Sequence, residues 1–520
     1  AALAAALGVA LAGIAAAAEL TPAEKTGRQI FFEGRGDGAE IFAYFGRENV
    51  RMPAVLMPCA NCHGHDGLGR PEGGVTPPNI TWQNLTKTYG HRHDNGREHG
   101  PFDEQSVAGA IMGGVDPDGN SLDPLMPRYE LSDEDVTALV AFLKKLESSQ
   151  DPGLSGDTIR IGTLLPDEGP YGGLGQAVAG ALRAYFDELN ETGGVFGRRL
   201  ELVVAGYTGG DPEATAENAR RLIEEDGGVF AVVSDFTLGV EEKVFAVFEE
   251  AGVPQIDPFT LFAGHAGLPS ERTFFLLSGL PDQARALVAY TASHVEPTPK
   301  ATALVIPPGG LYEELVRVVE DQARRSDMPA PAVVRLSGDR RAAAQAVTEL
   351  RQSGVEAIYF FGDTRVLVGI AEAAVRRGWV PRLLLPGQTA GPAVFSLPPA
   401  YDGRVHLTYP NLPEDQSIEG REEFRALQAR YELAGDHVAS QVRAVAAAKV
   451  LVEALRRSGR SLSRTSLVAE LEGLGKFDTG QLPALSFASN RRVGARGAHV
   501  LTIDLAGRRF RPEAAWVAVD

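Results

Sequence analysis

The chain has 520 residues, of which 44% are hydrophobic and 23% are charged. This composition is typical of a soluble globular protein, and the length exceeds that of one hydrophobic core, so we expect two to four domains. The formal net charge of −18 argues against a nucleic-acid-binding surface, because such a surface would be basic. An acidic protein of this kind would attract basic partners instead.

Residues 1–18 are almost entirely apolar, rich in alanine, and followed by Glu19. Ala16 and Ala18 fit the small-residue pattern of a signal-peptidase site, so this stretch is predicted to belong to a signal peptide. An uncleaved membrane anchor is the alternative, although the stretch is of borderline length for crossing a bilayer. Export would place the protein in a bacterial periplasm.

The residue pattern of the next segment, 21–34, predicts a helix. Thr21 lies at the N-cap position and Glu24 follows three residues later, which is the pattern of a capping box. Ile30 and Phe31 contribute apolar positions. We interpret this helix as the first of a small all-α domain that covers residues 19–148.

The most specific motif of the chain is Cys59-Ala60-Asn61-Cys62-His63. Two cysteines three positions apart, followed at once by histidine, form the attachment signature of c-type haem. Thiols one helical turn apart can reach the two vinyl groups on one edge of a porphyrin, and the histidine can then bind the iron. The motif predicts one covalently attached haem c, with Cys59 and Cys62 as attachment points and His63 as an iron ligand.

The same cysteines have three alternative roles. A zinc half-site needs two further soft ligands, and the chain contains only these two cysteines. A thioredoxin-like redox pair lies between a strand and a helix, whereas here Pro58 precedes the pair and a glycine-rich stretch follows it. A disulfide is the third alternative.

A second helix is predicted after Ser132, which is placed as its N-cap with Asp135 three residues later. Met126 lies in the loop just before this helix. One face of the helix carries apolar residues at helical spacing: Val136, Leu139, Val140, Leu143 and Leu146.

The haem motif, its Gly- and Pro-rich loop and this helix together resemble the class I cytochromes c. In that family a proline carbonyl orients the histidine ligand, so Pro77 or Pro78 is expected to contact His63. The family's second iron ligand corresponds to Met126. With ligands on both faces of the iron, the resemblance implies electron transfer rather than turnover at the metal.

Other residues are weaker candidates for the iron. Met112 better fits a packing role, and Met52 and Met57 precede the motif. A group of three histidines offers a bis-histidine ligand or a second metal site, although such a group is usually part of a solvated loop: His91, His93 and His99.

Residues 149–157 are polar and rich in Ser, Gly and Pro, which predicts a linker. From residue 158 to 520, apolar runs alternate with stretches of helical periodicity, beginning with a strand at 158–165 and a helix at 175–189. Repeated βαβ units predict parallel sheets with helices on both faces. The region is too long for one such sheet, so two lobes are expected.

Several stretches of this region resemble the type I periplasmic binding proteins, most closely the branched-chain amino acid group that serves ABC transporters. Residues 159–175 resemble the first strand and loop, 190–202 the turn into the second strand, 252–256 the fourth strand, and 440–458 the helix near the hinge. The resemblance implies an α/β fold of two lobes, with parallel sheets flanked by helices. A solute would lie in the cleft between the lobes, at the carboxyl ends of the strands.

A nucleotide site is the competing interpretation of the first loop. The loop Gly169–Gly175 reads G-P-Y-G-G-L-G, which is not G-x-G-x-x-G, and no Walker A lysine follows. The loop therefore gives little support to nucleotide binding.

Carried over by position, the resemblance implies seven solute-binding residues: Tyr171, Ser234, Thr237 and Thr260 in the first lobe, and Tyr312, Asp363 and Gln388 in the second. Asp363 is the acidic partner expected for an ammonium group, and Gln388 lies where relatives often carry an acid. As an alternative, Ser234 and Thr237 are helix caps.

Two loops depart from the family pattern, Ser234-Asp235-Phe236-Thr237 and the stretch 257–260, which reads D-P-F-T. Both departures weaken the prediction of a carboxylate-binding site. A ligand without an amine, such as an aromatic or aliphatic acid, is at least as well suited as an amino acid.

The leading hypothesis is a periplasmic monohaem c-type cytochrome fused to a module that binds an amino acid or organic acid. The alternative is an electron-transfer protein whose second module binds no solute and serves as a docking surface for a dehydrogenase. An enzyme is not expected, because the chain has no G-x-S-x-G elbow and no H-E-x-x-H helix. The expected partners are a periplasmic dehydrogenase or another cytochrome, a small organic solute and an ABC permease, and no nucleic acid.

Overall fold

The computed structural model describes residues 20–519 apart from 65–66, 70–76, 94–95, 147–150, 208–209, 338–339 and 461. The predicted signal peptide at 1–18 lies outside the described residues. The chain divides into two compact units between Asp151 and Pro152. No helix in the described part of the chain is both long and apolar enough to span a bilayer.

The N-terminal unit combines helices with short strands. Its helices are α1 (Pro22–Glu33), α2 (Cys59–His63), α3 (Trp82–Leu85), α4 (Glu104–Gly113) and α5 (Asp133–Leu143). Its strands are β1 (Phe42–Phe45), β2 (Val50–Pro53), β3 (His91–Arg92), β4 (Glu98–His99) and β5 (Arg128–Glu130). β1 pairs with β2 and with β5, and β3 pairs with β4, all antiparallel. The sequence predicted helices alone, because strands of two to four residues are too short to show an alternating pattern.

The helix ends follow the predicted caps. Thr21 Oγ1 accepts a hydrogen bond from Glu24 N, and the Glu24 carboxylate accepts one from Thr21 N, which completes the capping box. At the start of α5, Ser132 Oγ accepts from Asp135 N at 3.0 Å. These contacts satisfy amides that a helix leaves without internal partners.

α1 and α5 pack closely and form the core of this unit. The rings of Phe31 and Phe142 are fully buried, and their centroids lie 5.7 Å apart. Gly27 of α1 lies so close to α5 that a Cβ atom there would come within 2.0 Å of Ala138 O. All five residues of the predicted apolar face of α5 are buried: Val136, Leu139, Val140, Leu143 and Leu146.

The C-terminal unit alternates strands and helices. Its strands are β6 (Thr158–Pro166), β7 (Arg199–Tyr207), β8 (Ala231–Val233), β9 (Gln255–Ile256), β10 (Thr273–Leu277), β11 (Thr302–Ile306), β12 (Ala332–Arg335), β13 (Ala357–Phe360), β14 (Arg382–Pro386), β15 (Val405–Tyr409), β16 (Val493–Ala495), β17 (Gly497–Asp504) and β18 (Arg509–Ala518). Its helices are α6 (Gly172–Glu191), α7 (Pro212–Glu224), α8 (Glu241–Glu250), α9 (Leu280–His294), α10 (Glu314–Arg325), α11 (Arg340–Gln352), α12 (Thr364–Arg376), α13 (Gly387–Ala390), α14 (Ile418–Arg430), α15 (Val438–Arg457) and α16 (Arg464–Glu472).

These strands form two sheets, one in each lobe. The first-lobe sheet has the order β16-β10-β9-β8-β6-β7, and all its pairs are parallel. The second-lobe sheet has the order β12-β11-β13-β14-β15-β17-β18 and is parallel as far as β15. β17 and β18 add an antiparallel hairpin at one edge. The βαβ pattern predicted the two parallel sheets, but it gave no signal for a hairpin formed by the last strands of the chain.

The chain passes between the lobes after β10, after β15 and after β16. Ser278, which is buried just after β10, holds two of these crossings together. Its Oγ lies 2.9 Å from Ala495 O and 2.8 Å from Gly497 O, and it accepts a hydrogen bond from Gly497 N. The hinge between the lobes therefore has a fixed polar contact at its centre.

Candidate functional site

The haem motif forms a helix of its own. α2 begins after Pro58 and places Cys59 and Cys62 three positions apart, about one turn. Within the described part of the chain, neither cysteine forms the disulfide that the sequence left open. Burial raises the pKa of Cys59 to about 12. The spacing of the two thiols along α2 is the spacing that covalent attachment to one porphyrin edge requires.

His63 is 4% exposed, and its ring has a fixed orientation. Its Nδ1 lies 3.1 Å from Pro78 O, which is the contact expected from the proline-rich loop. Because the carbonyl can only accept, Nδ1 carries the proton and Nε2 is the nitrogen able to bind iron. Burial lowers the pKa of His63, which favours the neutral imidazole that a metal ligand requires.

The loop that carries Pro78 is held against α2 at a glycine. Gly69 N donates to His63 O at 2.8 Å. Gly69 has a φ of +86°, and a Cβ atom there would come within 2.0 Å of Pro77 O. Only glycine combines this backbone conformation with this close approach, so Gly69 allows the loop to pass directly beside Pro77, the residue before the one whose carbonyl contacts His63.

The predicted second ligand, Met126, lies in a turn with a fixed backbone. Met126 N donates to Asp123 O at 2.9 Å, and the guanidinium of Arg128 donates to Met126 O at 2.8 Å. In β5, which follows, the hydroxyl of Tyr129 donates to Met57 O at 2.6 Å. This hydrogen bond connects β5 to the segment just before α2. Sequence reasoning missed it.

The residues of this unit fit a haem c. Three large apolar side chains are exposed close in sequence to α2, the proline loop and Met126: Leu56, Leu68 and Leu125. A porphyrin would cover apolar surface of this kind. The two cysteines and the oriented imidazole supply the donor set, and this surface supplies the apolar environment, that the cofactor needs.

The three histidines interact with one another. His93 Nε2 lies 3.0 Å from His99 Nε2, and the rings of His91 and His99 stack with centroids 4.7 Å apart. The guanidinium of Arg97 also contacts His93, and His99 Nδ1 contacts Gly100 O. Among the described residues, no group of three or more His, Cys, Asp or Glu side chains is arranged to hold a metal ion. The second metal site considered from the sequence has no support in this arrangement.

In the C-terminal unit, two first-lobe loops have strained backbones where their strands end. Ser234 after β8 and Asp257 after β9 have φ values of 53° and 55°. Both side chains are fully buried, and Ser234 Oγ has no hydrogen-bond partner among the residues that the structure describes. Strain of this kind is concentrated at functional sites. Ser234 was predicted to contact a solute, and this stays a prediction.

Asp257 forms a buried ion pair with Arg443 of α15. Arg443 Nε and Nη2 lie 2.7 and 2.8 Å from the two carboxylate oxygens, and the guanidinium lies 4.7 Å from the centroid of Phe259. The pair holds the loop after β9 against α15. Sequence reasoning missed Arg443 because it lies 186 positions from its partner.

Glu241, the first residue of α8, is a second feature that the sequence did not reveal. Its carboxylate is 3% exposed and accepts hydrogen bonds from Thr260 Oγ1 at 2.9 Å and from Gly239 N at 2.8 Å. Burial raises the pKa of Glu241. The hydroxyl of Thr260, which was predicted to bind a solute, therefore positions Glu241.

Tyr312 of the second lobe reaches this region. Its ring packs edge-on against Phe262 of the first lobe, with centroids 5.2 Å apart. Burial, with a smaller contribution from the charge of Glu241, raises the pKa of Tyr312. Loops from both lobes thus meet around Glu241, Thr260 and Tyr312.

Two further first-lobe residues lie on the adjoining loops. Thr237 N and Oγ1 both donate to Phe259 O, at 3.1 and 3.2 Å. The half-exposed ring of Tyr171 packs against Phe236 with centroids 5.1 Å apart. The structure therefore brings Tyr171 and Thr237 to the loops that carry Thr260.

The other two second-lobe residues are engaged within their own lobe. Asp363 caps α12 and pairs with Arg365 at 2.6 Å, which holds the pKa of Asp363 below its usual value. Gln388 Oε1 accepts from Gln283 Nε2 at 2.9 Å. In the described part of the chain, neither residue forms a hydrogen bond or ion pair with the first-lobe loops.

A cavity of about 260 Å³ adjoins Asp363 at the carboxyl ends of β11 and β13. β12 and β13 lie on opposite sides of β11, so the cavity is at the point where the strand order reverses, which is where open α/β sheets bind ligands. Its lining is mostly apolar and includes Ile306, Pro307, Leu336, Phe361 and Val366.

Comparisons with known proteins agree with this description. A family model described as periplasmic binding protein matches residues 158–508, and one described as cytochrome c matches residues 53–147. The Leu/Ile/Val-binding protein BraC3 of Rhizobium johnstonii is 31% identical over 100 residues, 19% of this chain and 26% of that protein. The Leu/Ile/Val-binding protein homolog 3 of Brucella melitensis is 22% identical over 204 residues, 39% of this chain and 54% of that protein. The matches thus span about a quarter and about half of these relatives.

Solved structures show the same two-lobed fold. A fatty acid ABC transporter substrate-binding protein from Thermomonospora curvata has a TM-score of 0.55 at 19% identity, covering 72% of this chain and 95% of that one. A branched-chain amino acid ABC transporter protein from Thermus thermophilus with bound valine has a TM-score of 0.55 at 18% identity, covering 70% and 97%. With a family match over more than half of its length, the chain belongs to the periplasmic binding protein family and carries a cytochrome c domain before that module.

Proposed function

We propose that this protein is a periplasmic electron carrier that also binds a small organic solute. Cys59 and Cys62 would hold one haem c covalently, and His63 and Met126 would bind its iron. The haem would supply one-electron transfer. The observation that carries this part is the contact of His63 Nδ1 with Pro78 O, because it leaves Nε2 as the iron-binding nitrogen.

The role of Met126 can be tested by a matched pair of variants in protein that carries its haem. Replacing Met126 by leucine should open one face of the iron to added imidazole and lower the midpoint potential, because the thioether favours reduced iron. Met112→Leu is the control and should change neither property. Imidazole binding to the Met112 variant but not to the Met126 variant would assign the ligand to Met112.

The second module is proposed to bind its solute between the lobes, where Glu241, Thr260 and Tyr312 meet. Convergence of loops from two lobes around polar and aromatic side chains is typical of a binding cleft. The related proteins named above bind leucine, isoleucine or valine, or serve ABC transporters, which supports an amino acid or organic acid as the solute class and an ABC permease as a partner. Mass spectrometry of solute released from native protein tests this proposal.

A second function is favoured by the positions of Ser234, Asp363 and Gln388. Each of these expected contacts is buried or engaged within its own lobe. The module would then be a docking surface for a redox partner such as a dehydrogenase and would bind no solute. Native protein that releases no solute and binds none in a calorimetric screen would favour this function.

A further inference from the structure

Glu241 is a buried carboxylate without a cationic partner. Both of its hydrogen bonds come from neutral donors, Thr260 Oγ1 and Gly239 N, and within the described part of the chain it forms no ion pair. Asp257 and Asp282 are comparably buried in the same unit and are each paired with arginine, whereas Asp235, among the described residues, is buried without an ion pair and burial raises its pKa to about 7. Burying a carboxylate without a counter-charge is costly, so a cation from outside the chain would stabilise it there.

The start of a helix favours a negative charge, which is a structural reason for a glutamate at this position. That contribution is small compared with the cost of burial. It also does not account for the Thr260 hydroxyl, which is directed to the carboxylate, or for the approach of Tyr312 from the other lobe. Glu241 therefore has the position expected of a ligand-binding group as well as that of a helix-terminal residue.

The loops around Glu241 carry acidic and aromatic residues, and His265, further along the loop after β9, is engaged with Glu314 and Leu311 O. The stretches 234–241, 257–262 and 309–314 contain no lysine, arginine or histidine. Arg443, which approaches from α15, is bound by both oxygens of Asp257. A solute carboxylate would therefore find no free cation on these loops.

Aromatic residues on the same loops provide surfaces that can bind a cation. Tyr171 packs against Phe236, and Phe262 packs against Tyr312, on the loops on either side of Glu241. Aromatic faces attract ammonium groups through their quadrupoles and offer an apolar surface to the rest of an organic cation. A carboxylate flanked by aromatic rings is a combination suited to an organic amine.

From these observations we infer that the cleft recognises an amine-bearing cationic solute, with Glu241 as the specificity-determining residue and Thr260 as the residue that positions it. The inference rests on the proposed solute-binding function and narrows its ligand class. It differs from the expectation that Asp363 is the acidic partner, and it predicts that a carboxylate on the solute adds nothing to binding.

Calorimetry on the full haem-loaded protein tests this with two matched series of probes. One series is phenethylamine, 3-phenylpropanoate and phenylalanine, and the other is isoamylamine, 4-methylpentanoate and leucine. In at least one series the amine should bind at least as tightly as the amino acid, and the acid should bind at least tenfold more weakly. Acids that match the amines, or amino acids that bind tenfold more tightly than the amines, would overturn the inference while leaving solute binding intact.

Variants assign the effect to a residue. Glu241→Gln should weaken amine binding by about tenfold or more, because a charge-assisted hydrogen bond is lost. Glu242→Gln, at the exposed neighbour of Glu241 in α8, is the matched control and should leave binding unchanged. Thermal unfolding shows whether the Gln variant is folded, and Glu241→Asp, which keeps the charge, should retain the preference for amines. Unchanged binding in a folded Gln variant would overturn the role of Glu241.

Native protein gives an independent result. An amine among the solutes it releases would support the inference, and a released acid without an amine would overturn it. If no probe binds and no solute is released, the proposed solute-binding function itself fails. The failure of the inference is thus distinguishable from the failure of the function on which it rests.

Discussion

Breaking the buried ion pair between Asp257 and Arg443 should strongly destabilise the C-terminal unit. Arg443→Met preserves much of the side-chain volume but removes both hydrogen bonds to the carboxylate, at 2.7 and 2.8 Å. The Asp257 side chain is 0% exposed and that of Arg443 is 13% exposed, so water cannot replace the guanidinium. The variant leaves a buried negative charge whose one remaining described hydrogen bond comes from Leu276 N.

Removing one partner of a buried pair typically costs about 3–5 kcal/mol in the free energy of unfolding. We expect Arg443→Met to approach this range, since it also loses the contact of the guanidinium with Phe259. Adding Asp257→Asn should recover part of the loss, because the uncompensated charge is then gone. The Asp363–Arg365 pair is a matched control: its side chains are 47% and 89% exposed, so Arg365→Met should cost far less than Arg443→Met.

Urea denaturation followed by far-UV circular dichroism and tryptophan fluorescence measures these differences, with the slope checked for two-state behaviour. A loss for Arg443→Met no larger than that for Arg365→Met would refute the reasoning. So would a double variant less stable than Arg443→Met alone, because relief of the buried charge could not then explain the effect.

Two further predictions concern packing and pH. Gly27→Ala should destabilise the N-terminal unit by about 1–3 kcal/mol, because the new methyl group would meet the Ala138 carbonyl of α5. Gly109→Ala in α4 is the control: its methyl group meets no atom nearer than 3.9 Å, so the variant should be neutral or stabilising in the same denaturation assay. Burial raises the pKa of Asp235 to about 7, so above about pH 4 this group holds a proton in the folded state that it has released in the unfolded state. The contribution of Asp235 to the free energy of unfolding should therefore fall by up to about 4 kcal/mol as pH rises from 4 to 7. Asp235→Asn should flatten this dependence, and an unchanged pH profile would contradict the assignment.

Local sequence patterns predicted much of the fold. The caps at Thr21 and Ser132, the apolar face of α5 and the alternation from β6 onward all depend on residues close to one another in the chain. The short sheets of the N-terminal unit and the hairpin of β17 and β18 were not predicted, because their pairing joins strands without a periodic signal. Tyr44, for example, faces Arg128 across β1 and β5, 84 positions apart in sequence.

Some residues of the candidate sites could be predicted from local sequence, and others could not. The motif at Cys59, Cys62 and His63 could be recognised because its chemistry depends on spacing along one helical turn. Glu241 and Arg443 could not, because their roles depend on partners brought together by folding. Asp363 is different: Arg365, two positions later, was a visible signal that its carboxylate has a partner close by.

The central claim is that one polypeptide carries a covalently attached haem before its solute-binding module. Intact-mass spectrometry, with thiol alkylation, of protein matured in a host competent for cytochrome c assembly tests this most directly. The account predicts a mass increase equal to one haem and no thiol left to alkylate at Cys59 or Cys62. A colourless protein of unmodified mass, with both thiols alkylated, would contradict it.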